Sequence, residues 1–589
     1  MEYRLGEGFS EKKGVISNTH GFLQTYMDGG FKEKWSGYWS PGQKYLDYFA
    51  TKVNGVWLTG ETLEEACYGD KIVYTHKVSS LKIKQKISCP ANTAGFKVEW
   101  IVENNSEENK AVRISLETGI DIRSKEEDIG SQDYSLETIE NGKKIINGQN
   151  SISIIGKKFN FDEGVHSKEH FPGEKQICLI PGEIYCQHEV NSGNVEKAEI
   201  TFKTDGKVEE KTESPKGSLR HEELGRTFNY SIKSLENLYY GKNGRGVIAG
   251  HPWFQNYWAR DSFWTSLGMI DAGMFEEVEK LLLNFAEREN FPSKIRSSGG
   301  SETDYPRSDS IPLYIIAVDQ LNKYYSADEK LIERAEELLN ERPRGKIVEN
   351  HPDGTWMDTL EREKAVDIQS LWIEALERFN RGTKRLRKGL EEFKKEDYIK
   401  DNLENNFESI NPAIPIMFGQ VEEPEAENYL EKINGEFSSH YGARTRSVTD
   451  PGYDSSGYHT GSVWGLTTCW AAAANLEYNQ KNHGMNFLKK LSHFIDRNQL
   501  GALPEVANAE NGESLGCDEQ AWSAGLFIHV IDSYLLGISF EDDRLIIDPA
   551  DGISLVRKGK RIGDERIDIK VNNGKAKVVN NPDVKFETR

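Results

Sequence analysis

Four segments of the sequence concentrate polar and aromatic residues between apolar, helix-like runs. They span residues 251–268, 351–372, 441–465 and 502–526. Long connections on a rigid scaffold commonly carry binding and catalytic groups. We therefore expect the chemistry of this chain to come from these four segments.

The first segment joins an arginine to an acid at a predicted helix start. Arg260 and Asp261 lie between Trp258 and Trp264. The guanidinium donates hydrogen bonds and the carboxylate accepts them, so the two can hold hydroxyls of one sugar while a tryptophan covers its ring. A helix N-terminus with a buried ion pair is the alternative interpretation.

The second segment places a carboxyl group near a flat ring. Asp358 follows Trp356 by two residues, ahead of a helix predicted to begin near Ala365. A carboxyl group desolvated by a tryptophan can keep its proton near neutral pH, as a general acid must. An aspartate in this position is also typical of a helix cap.

The third segment is a long loop rich in Gly, Ser and Tyr, with its helix predicted to begin around Gly461. Such loops are usually functional or disordered, and the aromatic content argues against disorder. His459 either lines a site or hydrogen-bonds the helix start. The loop also carries Arg444, Asp450, Tyr453, Tyr458 and Trp464.

The fourth segment contains a glutamate directly after a proline. A solvated carboxylate held by polar neighbours stays ionised, which suits a general base that acts on water. Glu505 has this position, but spacing alone does not choose between it and four nearby acids, which are Glu510, Glu513, Asp518 and Glu519.

Motifs for metals and cofactors are absent from the sequence. The 13 histidines are scattered without HExxH, and there is no GxSxG, P-loop or GxGxxG pattern. We therefore predict no metal and no cofactor. Two loop carboxylates without cofactor signals meet the requirement of glycoside hydrolysis.

The elements that must position these segments are helices. From about residue 224 the apolar spacing is helical, most clearly over 310–325, 366–380, 462–479, 485–497 and 519–536. The pattern predicts ten to twelve helices without intervening strands, which excludes a doubly wound sheet or a β/α barrel. An α-solenoid and a closed barrel of helical hairpins remain, and no fixed-period repeat of the solenoid kind is seen.

Strand patterns flank the helical part on both sides. Alternating or β-branched runs at 72–79, 81–88, 96–103, 112–120, 151–159 and 198–204 predict an antiparallel β-sandwich. The predicted domains are the sandwich over 1–206, a polar linker over 207–223, the helical catalytic domain over 224–540, and a β-rich C-terminal cap over 541–589.

Composition argues against several classes of partner. The formal net charge of −21 opposes binding to nucleic acid or to an anionic membrane. Solubility in salt is the alternative explanation of the acidic excess. The N-terminal residues form no apolar signal segment, and the six cysteines have no paired spacing. We expect a cytoplasmic protein whose partner is a neutral sugar.

Taken together, the motifs resemble the glucosidase part of glycogen-debranching enzymes (amylo-α-1,6-glucosidases) and, more distantly, the glucoamylases. The similar stretches are WFQNYWARDSFWTSLG, TWMD with VDIQSLW, GARTRSVTDPGY with YHTGSVW, and LPE with GCDEQAWS. They occur in the family's order and cover most of residues 250–525. The sequence departs from the family in its N-terminal segment. It also has VDIQ where the family has VEIQ, and Gly465 where the family usually has proline.

The resemblance implies a six-hairpin (α/α)6 barrel and an inverting mechanism. It makes Asp358 the general acid and Glu505 the general base. Arg260 and Asp261 would bind the terminal glucose. Trp258, Trp356, His459 and Trp464 would line its subsite, with Asp309 nearby.

Three functions follow as hypotheses. The first is release of glucose from the non-reducing ends or branch points of an α-glucan or oligosaccharide. The second is hydrolysis of a small α-glucoside such as trehalose or glucosylglycerate. The third is an inactive glucan-binding protein, against which the presence of both carboxylates argues.

Overall fold

A computed structural model describes residues 3–5, 8–127, 133–162, 165, 168, 178–206, 208, 216–288, 290–299, 308–541, 544–580 and 583–589. The chain divides into two compact units. The first comprises residues 1–211 with the short pieces 240–243 and 497–500. The second comprises residues 212–239, 244–496 and 501–589.

The first unit is an antiparallel β-sandwich, in agreement with the prediction. Its strands are β1 (Tyr3–Leu5), β2 (Lys13–Ser17), β3 (Phe22–Tyr26), β4 (Gly37–Ser40), β5 (Gln43–Val53), β6 (Val56–Trp57), β7 (Leu63–Tyr68), β8 (Ile72–Val78), β9 (Leu81–Ser88), β10 (Gly95–Asn104), β11 (Lys110–Ser124), β12 (Ser135–Ile139), β13 (Gly142–Asn147), β14 (Asn150–Ile155), β15 (Asn160–Phe161), β16 (Ile184–Val190) and β17 (Val195–Thr204). One sheet has the strand order β1-β7-β8-β9-β10-β17-β14-β13-β12. The other has the order β15-β16-β11-β5-β4-β3-β2, with β6 paired to β5.

Alternation explains why these segments form strands. In β9 and β10 every second side chain is buried, which is the period that places one face of a strand on a core. Phenylalanines from both sheets meet between them. Phe96 stacks on Phe202 with ring centroids 4.4 Å apart, and Phe49 of the opposite sheet lies 5.9 Å from Phe96.

The second unit is built on twelve α-helices within the described residues. They are α1 (Gly225–Leu238), α2 (Ala259–Asp271), α3 (Phe275–Ala286), α4 (Ser310–Tyr324), α5 (Glu329–Asn340), α6 (Val366–Arg378), α7 (Lys384–Leu390), α8 (Ala413–Met417), α9 (Glu423–Lys432), α10 (Gly465–Glu477), α11 (Lys481–Ser492) and α12 (Ala521–His529). Two π-helical turns follow α9 and α12, at Ile433–Phe437 and Val530–Leu535.

The even-numbered helices form a closed inner ring. Helix α2 packs on α4, α4 on α6, α6 on α8, α8 on α10, α10 on α12, and α12 again on α2. The inner helices α2 and α12 are buried on every side, whereas the outer helix α5 buries only one stripe. Such a ring of helical hairpins is the six-hairpin barrel, and the solenoid alternative is wrong because the last inner helix contacts the first.

Close approach of two inner helices depends on glycine. A Cβ atom on Gly268 of α2 would lie 1.9 Å from the carbonyl oxygen of Gly525 in α12. Any side chain there would push the two helices apart and open the ring. The absence of a side chain at this contact therefore allows the ring to close.

The C-terminal residues form strands, as predicted. The strands are Ile538–Glu541, Arg544–Ile547, Leu555–Ile562, Glu565–Asn572, Lys575–Val578 and Phe586–Thr588. Two cations of Leu555–Ile562 enter the helical layer, where Arg557 and Lys560 pair with Asp532 and Lys560 also pairs with Asp271, all without exposure. These buried ion pairs fasten the C-terminal strands to the barrel.

Two local predictions need correction. Residues 218–220, assigned to the linker, form a strand that pairs with Leu555–Ile562, a partner far along the chain that no local pattern reveals. Residues 207 and 209–215 of that linker lie outside the described residues. The helix expected from Gly461 begins at Gly465, because Gly461 has a φ of 155° and a short strand at Val463–Trp464 intervenes.

No described helix is long and apolar enough to cross a membrane. Five of the cysteines are free thiols, at Cys89, Cys178, Cys186, Cys469 and Cys517.

Candidate active site

The candidate site is a pocket at one mouth of the helical ring. The loops that precede the inner helices converge there, so its residues lie at or before the N-terminal ends of α2, α6, α10 and α12. The pocket encloses about 420 Å³ including space open to solvent. It is lined by Ala249, Phe254, Trp258, Arg260, Asp261, Trp356, Asp358, Tyr458, His459, Trp464, Glu505, Gln520 and Trp522.

Glu505 is buried in this pocket with both carboxylate oxygens hydrogen-bonded. The Tyr458 hydroxyl donates to Oε1, and the Cys517 backbone N–H donates to Oε2 at 2.9 Å. Burial raises the pKa of Glu505 to about 6, the charge of Asp358 acts in the same direction, and the two hydrogen bonds oppose them. Glu505 is thus ionised at neutral pH and can accept a proton.

Backbone geometry fixes the position of Glu505. Its N–H donates to the Cys517 carbonyl at 2.9 Å, and the short strand Val506–Ala507 pairs with Val463–Trp464 of the third segment. A Cβ atom on Gly516 would lie 2.4 Å from the Glu505 carboxylate. A glycine at position 516 is therefore required for the carboxylate to occupy its place.

Asp358 lies in the same pocket with its side chain 40% exposed, and its carboxylate is 3.9 Å from the Arg260 guanidinium. The burial of the two carboxyl groups is the reverse of the sequence argument, which took Asp358 as desolvated and Glu505 as solvated. The reason is Trp356, whose ring contacts His459 and Trp464 edge-on at 5.3 and 5.4 Å and so belongs to the pocket's aromatic cluster.

Arg260 is held from behind by a carboxylate of the next inner helix. Its Nε donates to Asp309, which directly precedes α4, and its Nη2 donates to the Thr355 carbonyl at 2.8 Å. Asp309 does not line the pocket. A buried ion pair therefore exists at this helix start, as the alternative interpretation expects, but Asp309 rather than Asp261 makes it with Arg260. The sugar-binding role of Arg260 and Asp261 stays a prediction.

Asp261 is buried beside the other acids. Gln520 Nε2 donates to its Oδ1 at 3.0 Å. Burial raises the pKa of Asp261 to about 8, with Arg260 opposing the shift and the charges of Glu505 and Asp309 adding to it. At neutral pH this carboxyl group therefore holds a proton in the empty site and can donate or accept a hydrogen bond.

Aromatic side chains form the remaining walls. His459 stacks on Trp464 with centroids 5.3 Å apart, and its Nδ1 bonds Thr359 Oγ1 at 2.7 Å. Burial, with the charges of Arg260 and Arg362, lowers the pKa of His459 to about 3, so its ring is neutral. Flat faces with few charges suit the C–H surfaces of a pyranose ring.

The rival acids of the fourth segment do not line the pocket. Glu510 and Glu513 are exposed, and Asp518 bonds Ser514 Oγ at 3.3 Å. Glu519 pairs with His251 at 2.8 Å. The structure therefore brings Glu505 alone of these five acids into the pocket.

Sequence analysis assigns no role to four aromatic or polar lining residues, which are Phe254, Tyr458, Gln520 and Trp522. Two of them bond the acids of the pocket, Tyr458 to Glu505 and Gln520 to Asp261. Contacts across 47 and 259 residues leave no local spacing to detect, so only the family motifs could have indicated them.

The described residues contain no group of three or more His, Cys, Asp or Glu side chains arranged to hold a metal ion.

Comparisons with known proteins agree with this architecture. The family model described as amylo-alpha-1,6-glucosidase matches residues 225–355, and the model described as the mannosylglycerate hydrolase MGH1-like glycoside hydrolase domain matches residues 358–523. None of the curated proteins matches the sequence.

Two solved structures share the fold over nearly the whole chain. A putative kojibiose phosphorylase from the human microbiome is 10% identical, with a TM-score of 0.62, and the alignment covers 100% of this chain and 96% of that one. A bacterial glucoamylase complexed with acarbose is 12% identical, with a TM-score of 0.58. That alignment covers 91% of this chain and 95% of the glucoamylase chain. The two solved structures show that this chain shares their fold, and the two family models support a glycosidase-like family.

Proposed function

We propose that this chain is an inverting glycoside hydrolase that releases a terminal glucosyl unit from α-glucosides, with Asp358 as general acid and Glu505 as general base. One observation carries the proposal. Two carboxyl groups, from loops 147 residues apart in the sequence, line one pocket walled by tryptophans. Inversion requires such a pair, one carboxyl group protonated and the other ionised on the far side of the ring.

The proposed reaction balances with these two groups and one water. Asp358 gives its proton to the glycosidic oxygen as the bond to the anomeric carbon breaks. Water attacks that carbon from the opposite face and gives its proton to Glu505. The α-linkage then yields β-glucose, and the protons return through solvent.

Binding of the sugar would prepare Asp358 for its role. Its side chain is 40% exposed in the empty pocket. A bound ring would cover that exposed part and exclude water from the proton that Asp358 gives to the glycosidic oxygen.

The shape of the pocket is compatible with two classes of substrate. Its volume of about 420 Å³ includes space open to solvent, so it sets no upper limit on the size of the substrate. A terminal glucose of an α-glucan fits such a pocket, as does a small glucoside. The match to the amylo-1,6-glucosidase model contains Arg260 and Asp261, which supports a glucan as the substrate. The match to the MGH1-like model contains both proposed catalytic carboxylates, which supports a small glucoside such as trehalose or glucosylglycerate as the substrate.

Water is the acceptor that the lining charges favour. Glu505 is ionised at neutral pH, and the one cation that lines the pocket, Arg260, already binds Asp309. The charge of Glu505 would repel a phosphate dianion. Hydrolysis is therefore proposed over phosphorolysis.

The test is glucose release from limit dextrin, maltooligosaccharides, trehalose and glucosylglycerate, with and without inorganic phosphate. Proton NMR of the first turnover reports the product anomer, and β-glucose is expected. Asp358→Asn and Glu505→Gln should each lower kcat by about 10²–10⁴-fold, and Glu510→Gln, at an exposed acid of the same segment, should not. Wild-type rates in the first two variants, or an α-anomer, would refute the proposal.

A further inference from the structure

A buried polar cluster lies behind the loop that carries Asp358. We call it the Arg362 cluster, and it consists of Arg362, Asp367, Asp401 and Asn411, each at most 2% exposed. Arg362 donates to Asp367 Oδ1 and to Asp401 Oδ2, both at 2.6 Å. Asn411 Nδ2 donates to Asp401 Oδ1 at 2.6 Å.

This cluster contacts each of the three residues that precede Asp358. Arg362 Nη1 donates to Thr355 Oγ1 at 2.7 Å. Asn411 accepts the Trp356 indole N–H at 2.7 Å and donates to Met357 Sδ at 3.3 Å. Residues 355–357 are therefore fixed by side-chain bonds from outside the pocket.

Stability alone gives a weak reason for such a cluster. Replacing buried ion pairs with apolar side chains of similar volume is often neutral or stabilising, because desolvation of the charges is costly. The guanidinium of Arg362 is a rigid, planar group of donors, so it fixes the directions of the hydrogen bonds to its partners. The outcome here is a defined path for the backbone that leads into Asp358.

The general base is held by different contacts. Glu505 is fixed by Tyr458 and by the Cys517 N–H, and neither residue belongs to the Arg362 cluster. The acid and the base can therefore be displaced separately. A small displacement of one reacting group can cost about 100-fold in rate.

We infer that the Arg362 cluster is a set of positioning residues for the general acid, acting through Thr355 and Trp356 to aim Asp358 at the leaving oxygen. This inference rests on the proposed role of Asp358. It predicts a defect in proton donation that leaves attack by water intact.

The dependence of rate on the leaving group tests this directly. An α-glucoside with a sugar leaving group needs a proton on the departing oxygen, whereas α-glucosyl fluoride releases fluoride with little help from an acid. In both reactions water attacks the anomeric carbon and Glu505 takes its proton. The ratio of the two rates therefore isolates the acid.

Two variants of the cluster are compared with one on the base side. Asn411→Leu removes the bonds to Trp356 and Asp401, and Thr355→Val removes only the hydroxyl that Arg362 contacts, which keeps the test open if the first variant fails to fold. Each variant should lower kcat on the glycoside more than on the fluoride. For Asn411→Leu the expected loss is about 100-fold on the glycoside and less than about 5-fold on the fluoride. Tyr458→Phe should lower both rates to a similar extent.

The outcomes separate the two proposals. If folded Asn411→Leu or Thr355→Val loses both rates equally, or loses neither, the positioning role is overturned. If Asp358→Asn itself shows no dependence on the leaving group, the proposed function fails first. A selective loss in Asp358→Asn and in the cluster variants supports both.

Discussion

Replacing Tyr458 by phenylalanine should raise the pH at which the enzyme loses activity on acidification. Glu505 must be ionised to act as a base, so activity falls as pH drops through its pKa, which burial raises to about 6. The Tyr458 hydroxyl stabilises the ionised form by donating to Oε1. Its removal therefore raises the pKa further.

The magnitude follows from the strength of that bond. A hydrogen bond to a charged group contributes about 1.5–3 kcal/mol, and one pKa unit corresponds to about 1.4 kcal/mol. Tyr458 is 37% exposed, so water can replace part of the lost bond in the variant. We expect a shift of about one unit, which would leave about a tenth of the base ionised at pH 6.

The assay is kcat for the best glucoside between pH 4.5 and 9. Tyr453→Phe is the matched control, because its hydroxyl lies in the same loop but bonds Arg444 at 3.1 Å and does not line the pocket. An acid limb that stays in place in Tyr458→Phe, or that moves as far in Tyr453→Phe, would show that the reasoning about Glu505 is wrong.

Three further predictions concern buried titratable groups. Asp261 has a pKa of about 8 in the folded chain and 3.8 in the unfolded chain, so it opposes folding increasingly as pH rises from about 4 to 8. Asp261→Asn should therefore raise the thermal midpoint at pH 8.5, and this increase in the midpoint should shrink toward pH 5. Lys560→Met leaves Asp271 and Asp532 without this cation and should cost about 3–5 kcal/mol in urea unfolding, whereas an unchanged midpoint would contradict a fastening role. The pKa of His459 is about 3, so His459→Phe should leave both limbs of the pH profile in place even if it lowers kcat.

Periodicity predicted the scaffold because the apolar pattern of each helix reports its own burial. Helix α10, with four successive alanines at 471–474, is buried on all sides, and its sequence alone indicates an inner helix. Alternation in β9 likewise predicted a strand. Pairings between distant segments carry no such local signature, so the strand at 218–220 and the bond from Asp309 to Arg260 had to come from the structure.

The protonation environment of the site was the hardest feature to predict. Proximity of Trp356 to Asp358 in sequence suggested desolvation, but the ring packs among aromatic residues and leaves the carboxyl group 40% exposed. Glu505, in a loop expected to be solvated, is 2% exposed because Gly516 and the Cys517 backbone enclose it. Burial depends on which segments meet, and a single segment does not contain that information.

The position of the site also explains why the inner ring must be rigid. Burial raises the pKa of both Glu505 and Asp261, so each carboxyl group opposes folding once the pH exceeds its pKa in the unfolded chain. The partial positive charge at helix N-terminal ends favours nearby carboxylates, and Asp261 lies in the first turn of α2. The remaining cost must be met by packing elsewhere. The contact of Gly268 with Gly525 joins the two inner helices α2 and α12, which begin at Ala259 and Ala521. We therefore expect substitutions at that glycine contact to lower kcat before they unfold the helical unit, since the acids would be the first groups to relax toward water.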